Sequence, residues 1–166
     1  MRYYDTFEST CGGILIAATE RGLSGVYFNR QKYHPRVDAD WKRDPKHPVI
    51  KRAKHQLKEY FAGKRRDFDL PLDPSGTAFQ QAVWKAIARV PYGKTITYGE
   101  LAKRSGFPDG PRAAGAATGR NPIGIVVPCH RIVGANGSLT GYAGGLDRKR
   151  ALLALEGVGR DLLSPS

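Results

Sequence analysis

The segment IVVPCHRIVG, residues 125–134, most constrains how this chain can fold. Its β-branched apolar run, 125–127, is typical of buried extended chain and ends at Pro128. A proline lacks a backbone donor and favours an extended conformation in the residue before it. Cys129 and His130 follow, and then a second apolar pair. The pattern therefore predicts a cysteine at a rigid bend in mostly buried chain, beside a side chain that titrates near neutral pH.

This cysteine has two interpretations. A free cysteine is most often a small buried apolar side chain. It becomes a nucleophile when a neighbouring imidazole takes its proton, because the thiolate is the reactive form and little of it exists at neutral pH. The pair Cys129–His130 alone favours the structural interpretation, so the decision depends on the rest of the chain.

Composition narrows the classes of partner and cellular setting. The 166 residues carry a formal net charge of +12, which favours a polyanion such as nucleic acid as partner. No apolar run reaches the ~20 residues that cross a bilayer, and no secretory signal is visible at the start. Two cysteines make no disulfide framework, and no metal-ligand spacing occurs. We therefore expect a cytoplasmic protein with no metal, no cofactor and no membrane contact.

The N-terminal half predicts a small antiparallel sheet followed by one helix. Three short β-prone runs are separated by glycine-containing turns: residues 2–7, 14–19 and 23–28. Residues 29–47 are polar and predict a loop. A helix is expected from Pro48, with Gly63 ending it.

The C-terminal half predicts mainly helices, giving an α+β chain with a boundary near residue 75. Thr77 and Thr97 each begin a capping-box pattern. Two short helices joined by a glycine-containing turn indicate a helix-turn-helix. Its second helix, from Pro111, is almost all alanine and glycine, which suits either tight helix packing or close approach to a nucleic-acid groove. The residues alone leave those two alternatives about even.

Pro128-Cys129-His130-Arg131, with Asn121-Pro122 before it and the loop 141–145 after it, resembles the active-site signature of the O6-alkylguanine-DNA alkyltransferases. These are the methylated-DNA–protein-cysteine methyltransferases. The resemblance runs from about residue 77 to 157 and, more weakly, through the N-terminal half. It implies a ribonuclease-H-like domain over 1–75 and a winged-helix-like, DNA-binding and alkyl-acceptor domain over 76–166.

The resemblance implies DNA repair by direct reversal. An alkyl group on guanine O6 would move to Cys129 after the base is flipped out of double-stranded DNA, and an alkyl group on thymine O4 is a second candidate substrate. The thioether product has no easy leaving step, so each molecule would act once, as a monomer. His130 would be the base that ionises the thiol, acting through a bridging water, and Glu156 would orient it. Asn121 would bond the backbone around the cysteine turn, and Tyr98 would protonate the departing base.

The resemblance also assigns DNA and substrate contacts. Arg112 would take the place of the extruded base, and its helix would lie in the minor groove. The groove-facing positions are Ala113, Ala114, Gly115 and Ala116. The loop carrying Tyr142, Ala143 and Gly144 would cover the base, with backbone N–H groups near Ala143 bonding O6. The carbonyls of Cys129 and Ile132 would accept from the exocyclic amine, and Lys149 would hold this region together.

The sequence departs from the family pattern at Thr118, Gly124 and Ala143, which leaves the size of the accepted alkyl group open. Two other classes compete with this hypothesis. One is a binding module, either a protein that flips lesions and signals without chemistry or a helix-turn-helix regulator, and the other is a Cys-His hydrolase. Non-catalytic relatives replace the cysteine, so the presence of Cys129, His130 and Glu156 favours transfer chemistry.

Overall fold

The computed structural model describes residues 1–108 and 110–158, which form two compact units. The first unit consists of Met1–Ser75 and Pro122–Val126. The second consists of Gly76–Asn121 and the described residues from Val127 onwards. The α+β class predicted from the sequence is confirmed, whereas the inclusion of residues 122–126 in the first unit was not anticipated.

The first unit contains a four-stranded sheet of mixed direction. Its strands are β1 (Arg2–Ser9), β2 (Gly12–Ala18), β3 (Leu23–Phe28) and β4 (Trp41–Arg43), in the order β3-β2-β1-β4. The first three strands pair antiparallel, as predicted, but β4 pairs parallel with β1. The prediction that residues 29–47 are all loop was therefore wrong. A three-residue strand of mostly exposed side chains carries no alternating pattern that could reveal it.

Helix α1 (Pro48–Phe61) packs against this sheet through an apolar face. Its buried apolar residues recur at helical spacing: Ile50, Ala53, Leu57 and Tyr60. Gly63 follows with a φ of 74°, a left-handed conformation that ends helices at little cost for glycine. A buried carboxylate, Asp5 of β1, bonds Lys54 of α1 and lies 3.2 Å from Arg43 of β4, so one charge cluster joins three elements.

Residues 122–126 lie beside β3 through backbone hydrogen bonds. The N–H of Val26 donates to the carbonyl of Pro122 at 2.8 Å, and the N–H of Gly124 donates to the carbonyl of Val26 at 3.1 Å. The prediction that the following apolar run is extended was wrong, because Ile125 has a φ of 69° in a turn. Its burial was predicted correctly. Tertiary contacts have overridden the β-propensity of this run.

The second unit is mainly helical. In chain order it contains α2 (Ala78–Ala88), β5 (Ile96–Thr97), α3 (Tyr98–Arg104), α4 (Pro111–Gly119), a 3-10 turn (Cys129–Arg131), β6 (Ile132–Val133) and α5 (Leu146–Leu155). The two short strands pair in parallel. Thr77 forms the predicted reciprocal capping box with Gln80, and Thr97 accepts from the N–H of Glu100. No helix in the described residues is long and apolar enough to cross a membrane.

Helix α4 packs on α2 and α3 through its smallest side chains. Ala114, Ala117 and Thr118 are buried, and the indole N–H of Trp84 donates to the carbonyl of Ala117 at 2.8 Å. Arg112 and Ala113 are exposed on the same helix, as is Ala116. Tight packing therefore holds for one face of the alanine-rich helix, and the approach of the other face to a nucleic-acid groove stays a prediction.

Candidate active site

Cys129 starts the 3-10 turn Cys129–Arg131 of the second unit and is 7% exposed. Its N–H donates to the carbonyl of Val127 at 2.8 Å, and the N–H of Arg131 donates to the carbonyl of Pro128 at 2.9 Å. The backbone on both sides of the sulfur is thereby fixed. The bend predicted from the proline is present, and it holds the thiol in a buried position.

His130 and Glu156 form a buried pair. The imidazole Nε2 lies 2.6 Å from Oε2 of Glu156, the C-cap residue that follows α5. Burial alone would raise the pKa of Glu156, but hydrogen bonds and charge from His130 and Arg131 lower it well below its usual range. An ionised carboxylate only accepts, so Nε2 carries the proton.

The second imidazole nitrogen is therefore left to act as a base. Nδ1 of His130 is buried and has no hydrogen-bond partner within residues 1–108 and 110–158. Burial lowers the pKa of the imidazole, although Glu156 opposes this. The ring is thus neutral at pH 7, with a lone pair on Nδ1 that can accept a proton.

Arg131 is the functional residue that sequence reasoning missed. Its Nε donates to Oε1 of Glu156 at 2.8 Å and its Nη2 donates to Oε2 at 3.0 Å, while Nη1 bonds the carbonyl of Val90 at 2.7 Å. The N–H of Gly93 also reaches Oε1, at 3.1 Å. A signal existed: an arginine between segments predicted to be buried must find an acceptor, because unpaired buried charge is very costly.

The pKa of the Cys129 thiol is subject to opposing influences. Burial raises the pKa of Cys129, whereas the side chain of Asn121, the charge of Lys149 and the side chain of Tyr142 lower it. Nδ2 of Asn121 also donates to the carbonyl of Val127 at 2.8 Å. The amide therefore joins the sulfur to the backbone that precedes it, which is the position predicted for Asn121.

Lys149 is fully buried and connects two backbone segments. Its Nζ donates to the carbonyl of Ile132 at 2.6 Å and to that of Thr140 at 2.9 Å. Burial lowers the pKa of its ammonium group to about 8. The carbonyl of Cys129 accepts from the N–H of Ile132. A carbonyl oxygen has two lone pairs, so this carbonyl and that of Ile132 can each accept from one more donor.

Tyr98 begins α3 and is half-buried. Burial raises the pKa of its phenol; a hydrogen bond with Thr140 opposes this, and the charge that Cys129 can carry adds to it. Its ring also lies against α4, since a Cβ added to Gly115 would be 3.6 Å from the ring. Tyr98 therefore contacts both the alanine-rich helix and Thr140.

The remaining predicted residues divide by exposure. Tyr142 and Ala143 are half-buried and Gly144 is buried, in a turn closed by a 2.9 Å bond from the N–H of Gly145 to the carbonyl of Tyr142. Ala114 is 0% exposed, and its assignment to DNA binding stays a prediction. It packs in the interior because it faces the neighbouring helices. No group of three potential metal-ligating side chains occurs in the described part of the chain.

Comparison with known proteins shows the family of this chain. The family described as 6-O-methylguanine DNA methyltransferase, DNA binding domain, matches residues 78–158. The family described as 6-O-methylguanine DNA methyltransferase, ribonuclease-like domain, matches residues 2–74. The chain belongs to the methylated-DNA–protein-cysteine methyltransferase family.

Individual members of the family are similar over nearly their whole length. A methylated-DNA–protein-cysteine methyltransferase of Methanosarcina acetivorans is 51% identical, covering 93% of this chain and 98% of its own. One of Mycobacterium bovis is 47% identical, covering 94% and 93%. The crystal structure of Mycobacterium tuberculosis OGT in complex with DNA has a TM-score of 0.85 at 45% identity, covering 97% of this chain and 98% of its own. The predicted family and enzyme class are confirmed.

Proposed function

We propose that Cys129 removes an alkyl group from the O6 atom of guanine in DNA and keeps it. The class of reaction, DNA repair by alkyl transfer to a protein cysteine, follows from membership of the family. The observation that carries the residue assignment is the buried Cys129 beside an imidazole whose Nε2 is held by Glu156 and whose Nδ1 is left as a base. DNA is the partner, as in the mycobacterial complex.

The transfer is a displacement at carbon. The thiol proton passes to Nδ1 of His130 through a bridging water, and Asn121 and Lys149 stabilise the resulting thiolate. The sulfur then forms a bond to the alkyl carbon while the bond from that carbon to O6 breaks. Tyr98 donates its phenolic proton to the departing guanine, and the proton held on His130 then replaces it, so that both residues return to their neutral forms. Since the thioether has no leaving group, each molecule reacts once.

The loop around Tyr142 holds the extruded base. Backbone N–H groups near Ala143 bond O6, where negative charge develops as the bond breaks. The free lone pairs of the Cys129 and Ile132 carbonyls accept from the exocyclic amine. Lys149 keeps the second of these carbonyls and Thr140 in place.

Helix α4 presents the damaged base from the minor groove. Its exposed face combines Arg112 with the small residues Ala113 and Ala116, so its backbone can lie close to the groove. Arg112 fills the gap left by the flipped nucleotide, which offsets part of the few kcal/mol that extrusion costs. Gly115 is half-buried and faces the ring of Tyr98.

The organisation of the whole chain belongs to the same proposal. We divide it into a ribonuclease-like domain, 1–75, and a DNA-binding and acceptor domain, 76–166, as supported by the family matches over 2–74 and 78–158. A reduced cysteine acceptor fits a cytoplasmic location. One chain carries every residue that the mechanism uses, which fits a monomer.

Intact-protein mass spectrometry after incubation with duplex DNA containing O6-methylguanine tests the proposal. We expect the mass of one methyl group to be gained once and located on Cys129 by peptide analysis. The Cys129→Ala variant should gain none, and Cys11→Ser should behave as the parent. Tight lesion binding without any mass gain would instead indicate a binding module, and repeated turnover on an ester or amide would indicate a hydrolase.

A further inference from the structure

Phe107 is a large apolar side chain that stands out of the second unit. It is 44% exposed in the turn between α3 and α4. Its ring packs edge-to-face on Phe79 of α2, with centroids 4.8 Å apart and planes at 74°. Its N–H donates to the carbonyl of Ala102 at 2.9 Å, and its carbonyl accepts from the N–H of Gly110 at 3.0 Å. One ring contact and two backbone hydrogen bonds therefore hold Phe107 in place.

The helix ends that flank Phe107 in the chain carry exposed cations. Lys103 and Arg104 end α3 and are exposed, and Arg112 is exposed on the first turn of α4. Arg104 pairs with Glu100 at 3.0 Å. An apolar ring among cations suits a partner that carries negative charge next to apolar surface. The walls of a DNA groove have this character, because deoxyribose rings lie between the phosphates.

The ring also continues the exposed face of α4. A Cβ added to Gly110 would lie 3.8 Å from the Cβ of Phe107 and 3.9 Å from the Cβ of Ala113. Phe107 and Ala113 thus flank the same point of the surface. All of these residues fall within the 78–158 match to the DNA binding domain of the family. Continuity with that face favours DNA over an anionic membrane, which could also attract cations and an aromatic ring.

We propose that Phe107 is a DNA-contact residue whose ring packs on deoxyribose at the wall of the minor groove, beside Arg112. This inference rests on the proposed function, since it takes α4 as the DNA-binding helix. Such a contact gives affinity through apolar burial and not through neutralised phosphates. Phe79 is the positioning residue that keeps the ring upright.

Binding of undamaged duplex DNA across a range of salt concentrations tests this contact. Phe107→Ala should weaken binding on the order of fivefold or more at each salt concentration, while the slope of log K against log salt stays unchanged. Phe107→Leu should recover much of the loss. Leu72→Ala is the matched control, because Leu72 is 42% exposed in the first unit and should leave binding unchanged.

Alkyl transfer from a free O6-alkylguanine base separates this role from damage to the active site. Phe107→Ala should react with the free base at the parental rate. Three results for Phe107→Ala would each overturn the proposal. They are an unchanged DNA affinity, a salt slope lowered by about one as for a lost phosphate contact, and a free-base reaction slowed as much as DNA binding is weakened. Phe107-dependent binding to phosphatidylserine vesicles with unchanged DNA affinity would assign the ring to a membrane. If the parent protein shows no mass gain on lesion DNA, the proposed function fails, yet the salt titration still decides whether Phe107 contacts DNA.

Discussion

Arg131 and Glu156 form a two-pronged buried ion pair, with Nε–Oε1 and Nη2–Oε2 distances of 2.8 and 3.0 Å. The same carboxylate accepts from His130 and from the N–H of Gly93. Its charge is thus already balanced before the imidazole takes a proton. An imidazolium would add an uncompensated positive charge unless a thiolate forms with it, so the proton transfer that we propose from Cys129 to His130 would be favoured over proton uptake from solvent.

We expect Arg131→Met to lower the free energy of unfolding by about 3–5 kcal/mol, because it leaves a buried carboxylate short of its cation. Urea unfolding measures this loss. Arg104→Met removes an exposed ion pair with Glu100 and should cost less than about 1 kcal/mol. Equal losses in the two variants would show that burial of the Arg131 pair carries no special energetic weight.

We expect Asn121→Ala to raise the pKa of Cys129 further above its usual value. The Asn121 side chain lowers that pKa in the parent, and its loss leaves burial less opposed. The rate of alkylation by iodoacetamide, measured against pH in a Cys11→Ser background, reports the thiolate fraction. Asn136→Ala, which alters an exposed turn, should leave the profile in place. A profile that moves to lower pH for Asn121→Ala would contradict the assignment.

The free energy of unfolding should increase as the pH rises above 8, because Lys149 then loses the charge that is costly to bury. Its pKa is about 8 in the fold against 10.5 for the free side chain, so between these values the unfolded chain binds more protons. Below pH 8 both states are protonated, and the cost of burying the ammonium is fully present. The gain is at most about 1.4 kcal/mol per pH unit. Unfolding of Cys129→Ala with and without Lys149→Met, from pH 7 to 10, isolates this effect from the thiol. A parallel pH dependence in both would refute it.

The two faces of α4 should respond differently to the same substitution. Ala114→Leu places bulk in the interior and should cost about 1–3 kcal/mol of stability. Ala113→Leu lies on the exposed face, so it should leave stability unchanged but weaken DNA binding by keeping the helix from the groove. Thermal unfolding and DNA titration of both variants give the comparison. Ala114→Leu with the stability of the parent, or Ala113→Leu with its DNA affinity, would contradict the assignment of Ala114 to the buried face and Ala113 to the DNA-binding face.

Features with local signals could be predicted from the sequence. The caps at Thr77 and Thr97, the glycine that ends α1 and the helix-turn-helix each depend on residues a few positions apart. The Cys129–His130 pair was also visible, although its role needed the family resemblance.

Features that depend on distant residues could not be predicted. Strand β4 is short and polar and exists because it pairs with β1. Ile125 adopts a left-handed turn that its β-branched side chain disfavours in isolation. Arg131 finds its carboxylate 25 residues away, and Asp5 finds Lys54 at a separation of 49. Such pairings depend on the completed fold.

Residues 122–126 reach β3 through main-chain atoms of Val26, Pro122 and Gly124. Hydrogen bonds of this kind make no demand on the identity of the side chain at position 26. A chimaera that takes residues 1–75 from one relative and the remainder from another could therefore form these backbone hydrogen bonds again. A fragment that starts at residue 76 would instead leave the Pro122 carbonyl and the Gly124 N–H to be satisfied by solvent.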